Sequence, residues 1–96
     1  MFVAHVTFLC PQRGGRDTPP RSGYHPQIDA GGVFTSCVIE SLGDETIFAF
    51  DIAHRVRLRL LFPELYHDHD AFAVGSDVRF YEGSHLVGSG TILEIH

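Results

Sequence analysis

The densest cluster of groups able to bind a metal or move a proton is His67-Asp68-His69-Asp70. In an extended segment side chains alternate, so His67 and His69 share one side and the two carboxylates the other. A zinc-like ion needs a third and fourth ligand held in place. None is visible nearby in the sequence, so the segment reads as a solvated acidic loop, and neither a metal nor any other cofactor is assigned. Cys10 and Cys37 are the only thiols. They lack CxxC spacing and have apolar or small neighbours, which fits two reduced thiols in strands better than a disulfide or a metal site. No serine sits in a nucleophile-elbow context, and no pair of carboxylates is set in an apolar strand. Cys37 with a distant histidine is the sole formal nucleophile–base combination. The chain is not expected to be an enzyme.

The cations carry a different message. Seven arginines and no lysine stand against twelve acids, a formal charge of −5 with histidine neutral. A dedicated nucleic-acid binder usually has the opposite sign, because phosphate neutralisation supplies most non-specific affinity. Seven histidines move the balance towards neutral only as pH falls through about 6.5. A phosphate-cradling GxxxxGK[ST] loop needs a lysine, so nucleotide binding of that kind is excluded. Arg55, Arg57 and Arg59 alternate with Val56, Leu58 and Leu60. Three like charges on one strand face repel unless acids lie opposite, and Glu40, Glu94, Asp51 and Asp77 are the candidates. The ladder is either an ion-paired, solvated face or a surface for an acidic partner or an RNA backbone.

Strands must position these residues. Period-two alternation marks residues 2–9, with Phe2, Ala4, Val6 and Phe8 on one side, then 33–40 and 55–62. Shorter strands are expected at 46–51, 77–81 and 86–95, the last with two glycines that suggest a bulge or close backbone approach. Turn-forming pairs such as Gly14-Gly15, Gly31-Gly32 and Gly43-Asp44 separate them. The longest irregular stretch is 11–27. No helical period persists beyond two turns. Six or so short strands in 96 residues, with 44% apolar and 20% charged side chains, predict one all-β domain, a closed six-stranded antiparallel barrel spanning 1–96. No apolar run approaches the ~20 residues of a membrane span. Met1 to Cys10 has no basic segment ahead of its apolar stretch, so it does not read as a signal peptide and the chain reads as cytoplasmic.

Within the irregular stretch, Gly14-Gly15-Arg16-Asp17-Thr18-Pro19 and Gly23-Tyr24-His25-Pro26-Gln27 resemble the GGR-x-TP…GY-x-PQ signature of the C-terminal barrel domain of elongation factor Tu. Glu82-Gly83-Ser84-His85-Leu86-Val87-Gly88-Ser89-Gly90 is similar to that family's REGGRTVGAG ending, and Pro63 matches a proline after its long strand. The similarity runs from Phe2 to Ile95 and is loosest over 28–50. It implies a standalone barrel without the GTPase domain, and a binding role without chemistry. In the family this domain contacts the T-stem backbone of aminoacyl-tRNA and offers a surface to the exchange factor. The resemblance places a contact arginine at Arg16, a glutamine at Gln27 and a glutamate at Glu82. Three family arginines are replaced, by His25, Tyr81 and His85. A protein-interaction role, translation-related and open to homodimers, is therefore favoured. The alternative is weak tRNA or structured-RNA binding through Arg16, Gln27, Glu82, His25 and His85, helped by Arg55, Arg57 and Arg59.

Overall fold

In the computed structural model residues 1–63 and 71–96 are described; the His67–Asp70 cluster lies outside the described residues. Six strands, β1 (Phe2–Phe8), β2 (Gln27–Ala30), β3 (Val33–Ser41), β4 (Ala53–Leu60), β5 (Asp77–Glu82) and β6 (His85–Ile95), close an antiparallel barrel in the order β1-β4-β3-β2-β5-β6. The expected fold class is the observed one. A short 3-10 turn spans Pro11–Arg13, and among the described residues no helix is long and apolar enough to cross a membrane.

Alternation decides which side chains fill the lumen. Ala4, Val6 and Phe8 of β1 meet Ile28 and Ala30 of β2, Cys37 and Ile39 of β3, Val56 and Leu58 of β4, and Phe80 of β5 in one buried cluster. Phe8 is its hub. Its ring centroid lies 5.6 Å from Phe48, 6.4 Å from Phe80 and 5.9 Å from Tyr24. Burying such rings is worth about 1.5–3 kcal/mol each, which makes this cluster the main source of stability.

Two expected elements differ from the structure. The stretch 46–51 is not a strand; it makes one isolated bridge, Ile47 to Arg21, while the fully buried Phe48 plugs the barrel mouth. Its apolar residues alternate because they line a lid, not because they pair along a sheet. His54, buried at the start of β4, pins that lid. Its Nδ1 lies 3.1 Å from the Glu45 carboxylate and its Nε2 lies 2.8 Å from the Ala49 carbonyl oxygen. Conversely, residues 27–30 form β2, which pairs with both β3 and β5.

Closure rests on the β1–β6 pairing, and two glycines make it fit. A Cβ at Gly90 would stand 2.3 Å from the His5 carbonyl oxygen, and one at Gly88 would stand 2.8 Å from that of Thr7. Only a residue without a side chain lets β6 press this closely on β1, as the two glycines in that strand lead one to expect. Gly90→Ala should therefore destabilise the protein by about 1–3 kcal/mol. Gly43→Ala, where a Cβ meets nothing within 4 Å, should stay within about 0.5 kcal/mol of wild type. Equilibrium urea unfolding checks both, and equal midpoints for Gly90→Ala and wild type would refute this role for Gly90.

Candidate functional site

The Gly-Gly-Arg segment is built to hold one side chain in place. Pro11–Arg13 forms a 3-10 turn that ends on left-handed Gly14 (φ 85°), and the Gly15 amide donates to the Cys10 carbonyl at 3.0 Å. A Cβ on Gly15 would overlap the Leu9 carbonyl oxygen at 1.8 Å, so only glycine passes here. Arg16 then reaches Glu82 at the end of β5, with Nε 3.0 Å from Oε2, and its guanidinium lies 4.7 Å from the centre of the Tyr24 ring. The Tyr24 hydroxyl donates to the same Glu82 oxygen. His85 closes the group, its Nε2 3.3 Å from the Gly15 carbonyl oxygen. Open depressions of about 300 and 590 Å³ flank Arg16, one over Tyr24 and Arg21, the other over Glu82 and His85.

The Tyr24 hydroxyl is held well above the ordinary phenol range. Burial is the largest cause, followed by the hydrogen bond to Glu82 and that residue's negative charge, with Arg16 opposing. Arg16 is thus an internal clamp on the long loop, with its charge already answered by Glu82.

Two of the three ladder arginines are answered in the same way. Arg55 pairs with Glu94, and Arg59 Nε lies 2.8 Å from Glu40, two of the four acids the sequence offered. Their stems cover apolar floor on the outer wall. Val3 lies opposite Arg57, Val38 lies opposite Arg59, and both valines are 5% exposed or less. Arg57 Nε is buried and has no hydrogen-bond partner among the described residues. Glu94 is held below the usual carboxylate range, first by its hydrogen bond with His96 and then by the charge of Arg55.

The expected site residues do not gather. Arg16, Glu82 and His85 meet at one end of the barrel. His25 is exposed in the loop, apart from them, and Gln27 sits on β2 between Ser36 and Tyr81, its Oε1 buried without a hydrogen-bond partner among the described residues. The arginines of β4 and Arg79 of β5 occupy the second and fifth of six strands, on opposite walls of the barrel. Both cysteines are free thiols, and burial pushes the Cys37 thiol up to about 12, which leaves it unreactive. Among the described residues no group of three or more His, Cys, Asp or Glu is placed to hold a metal ion.

The residues from which the sequence drew no role form an apolar belt. Phe34 on β3, 52% exposed, packs on Tyr81 of β5 with ring centroids 5.8 Å apart. Tyr81 stands opposite the exposed Leu86 of β6. On the other side the exposed Leu61 continues β4, its amide donating to the carbonyl of Ser36 at 3.0 Å. Its sequence signal was an apolar residue out of phase with the buried positions of its strand. No protein-family model matches the chain, and no curated protein matches it.

The clamp carries its own prediction. In a spectrophotometric titration the Tyr24 phenol should ionise above the ordinary range near pH 10. Glu82→Gln should lower that transition and Arg16→Ala should raise it further. Because the neutral phenol is the form the fold favours, its contribution is intact below pH 10 and fades as pH climbs towards the folded-state value. A Tyr24 transition unmoved by Glu82→Gln would refute the clamp.

Proposed function

We propose that this barrel is a non-catalytic binding module that recognises another protein through the outer wall formed by β3, β2, β5 and β6. The observation that carries this reading is the exposed Phe34 ring packed on the half-buried Tyr81, with the exposed Leu61 and Leu86 on the neighbouring strands. Aromatic side chains amid scattered polar groups are the usual anchors of protein interfaces, since they bury much area at little entropic cost. The charge distribution supports the same reading. Arg13, Arg16, Arg55 and Arg59 are paired with acids, and the remaining cations do not share a face. A net charge of −5 further disfavours a phosphate backbone as ligand. On this reading the chain is a cytoplasmic, translation-related relative of the elongation factor's C-terminal barrel, working without nucleotide or cofactor.

The test is co-purification from nuclease-treated extract with wild type and Phe34→Ser, which removes an exposed ring and leaves the core intact. A protein retained by wild type and lost by Phe34→Ser is expected. At pH 7.5 and physiological salt, fluorescence anisotropy should show tRNA affinity no better than about 10⁻⁴–10⁻⁶ M. Nanomolar tRNA binding that Arg16→Ala abolishes and Phe34→Ser leaves intact would overturn the proposal in favour of an RNA module.

A further inference from the structure

Beside the apolar belt, the outer wall carries a second feature that none of the roles above uses. Between β1 and β5, β6 runs at the bottom of an open trough of about 430 Å³ lined by His5, Thr7, Asp77, Arg79, Ser89 and Thr91. The inward glycines that draw β6 against β1 leave only short hydroxyl side chains on its outer side, so the longer side chains of β1 and β5 stand up as walls. Two cross-strand rows span it. Asp77 faces Thr91, which faces His5; Arg79 faces Ser89, which faces Thr7.

The charges in this trough are arranged in a particular order. Asp77 and Arg79 point the same way from β5, two residues apart, about 6.6 Å by strand geometry. Asp77 accepts a hydrogen bond from the Thr91 hydroxyl at 3.4 Å. Arg79 is exposed and forms no ion pair among the described residues, although Asp29 stands directly opposite on β2. An acid and a base spaced i, i+2 on an exposed strand match any extended strand that presents the same two charges in reverse order. This chain supplies such a strand itself. When two β5 strands cross face to face and antiparallel, a two-fold axis beside Val78 sets Asp77 of each copy against Arg79 of the other. Val74, 63% exposed in the turn before β5, and the Phe34–Tyr81 pair towards the far end of the strand lie on either side of the two charges, so the same operation leaves apolar surface flanking the ion pairs. An isologous contact needs this kind of self-complementarity, in which residue i meets j and j meets i.

We infer that the β5 wall pairs with a second copy of this chain through reciprocal Asp77–Arg79 contacts, with the apolar belt packed at either end. The inference rests on the reading of this wall as a protein-recognition surface and specifies its occupant. Exposed ion pairs contribute little each. Juxtaposed like charges, in contrast, cost several-fold more, so the charges set the register and the belt supplies the affinity.

Sedimentation equilibrium of the full chain over a wide concentration range is the test. Wild type should show a reversible monomer–dimer equilibrium. Asp77→Arg and Arg79→Asp, both at exposed positions, should each raise the dimer dissociation constant about tenfold or more, because each places like charges together. The double variant Asp77→Arg/Arg79→Asp restores the opposite pairing and should return within about threefold of wild type. A double variant as weak as either single would overturn the inference. So would a wild type that stays monomeric at millimolar concentration. A monomer that still retains another protein in a Phe34-dependent way would remove the self-pairing and leave the recognition wall standing. A monomer whose captured protein is indifferent to Phe34→Ser would remove both.

Discussion

Everything in this molecule depends on how closely β6 lies against β1. With Gly88 and Gly90 facing the lumen, the backbone of β6 approaches the carbonyls of Thr7 and His5 at distances that no other residue permits. That approach closes the ladder, so none of the six described strands is an edge strand. It also brings Phe8 to the centre of a ring cluster with Phe48, Phe80 and Tyr24. On the outside, the same sinking of β6 makes the trough between His5 and Arg79. Fold, core and outer relief follow from one close contact.

Closure dictates how such a protein can bind. Strand addition is ruled out where edges are absent, so recognition must use side chains on the outer wall or the loops at the barrel mouth. Among the described residues, two of these loops are held internally. Arg16, Tyr24 and Glu82 hold the long loop to the end of β5, and His54 holds the lid over Phe48. The β4 wall is committed as well, Arg57 and Arg59 lying opposite Val3 and Val38, and Arg55 and Arg59 pairing with Glu94 and Glu40. Among the described residues the wall around β5 stays open, with the Phe34 ring exposed and Arg79 forming no ion pair. Its position opposite the arginine ladder separates an apolar, mixed-charge face from a paired, solvated one.

Much of this was legible in the sequence where burial is one-sided. Phe2 to Phe8 and Arg55 to Leu60 alternate cleanly, and the structure pairs them as neighbours. β2 was not legible, because four residues with only Ile28 and Ala30 turned inward are too few to show a period. The 46–51 stretch misled for the opposite reason. Phe48 and Phe50 pack on the core from a lid, and period two reports burial rather than pairing. For the site, Arg16 and Glu82 could be singled out by resemblance, but their meeting over Tyr24 could not, since those residues come from separate parts of the chain. Glu40 and Glu94 could be proposed as partners of the ladder because strand pairing restricts the choice; the pairs that form are diagonal, since register sets Glu40 opposite Arg57 while its carboxylate meets Arg59. The belt escaped because Phe34 and Tyr81 look like core residues until the register turns them outward.

The most direct test of this division of the surface is a series of ¹⁵N–¹H amide spectra of the full chain from tens of micromolar to millimolar. Amides of Asp29, Phe34, Asp77, Arg79, Tyr81 and Ser89 should move progressively with concentration, while those of Arg55 to Arg59 and of Arg16 stay fixed. Movement centred on β4 or on the Arg16 loop, with the β5 wall unchanged, would contradict it.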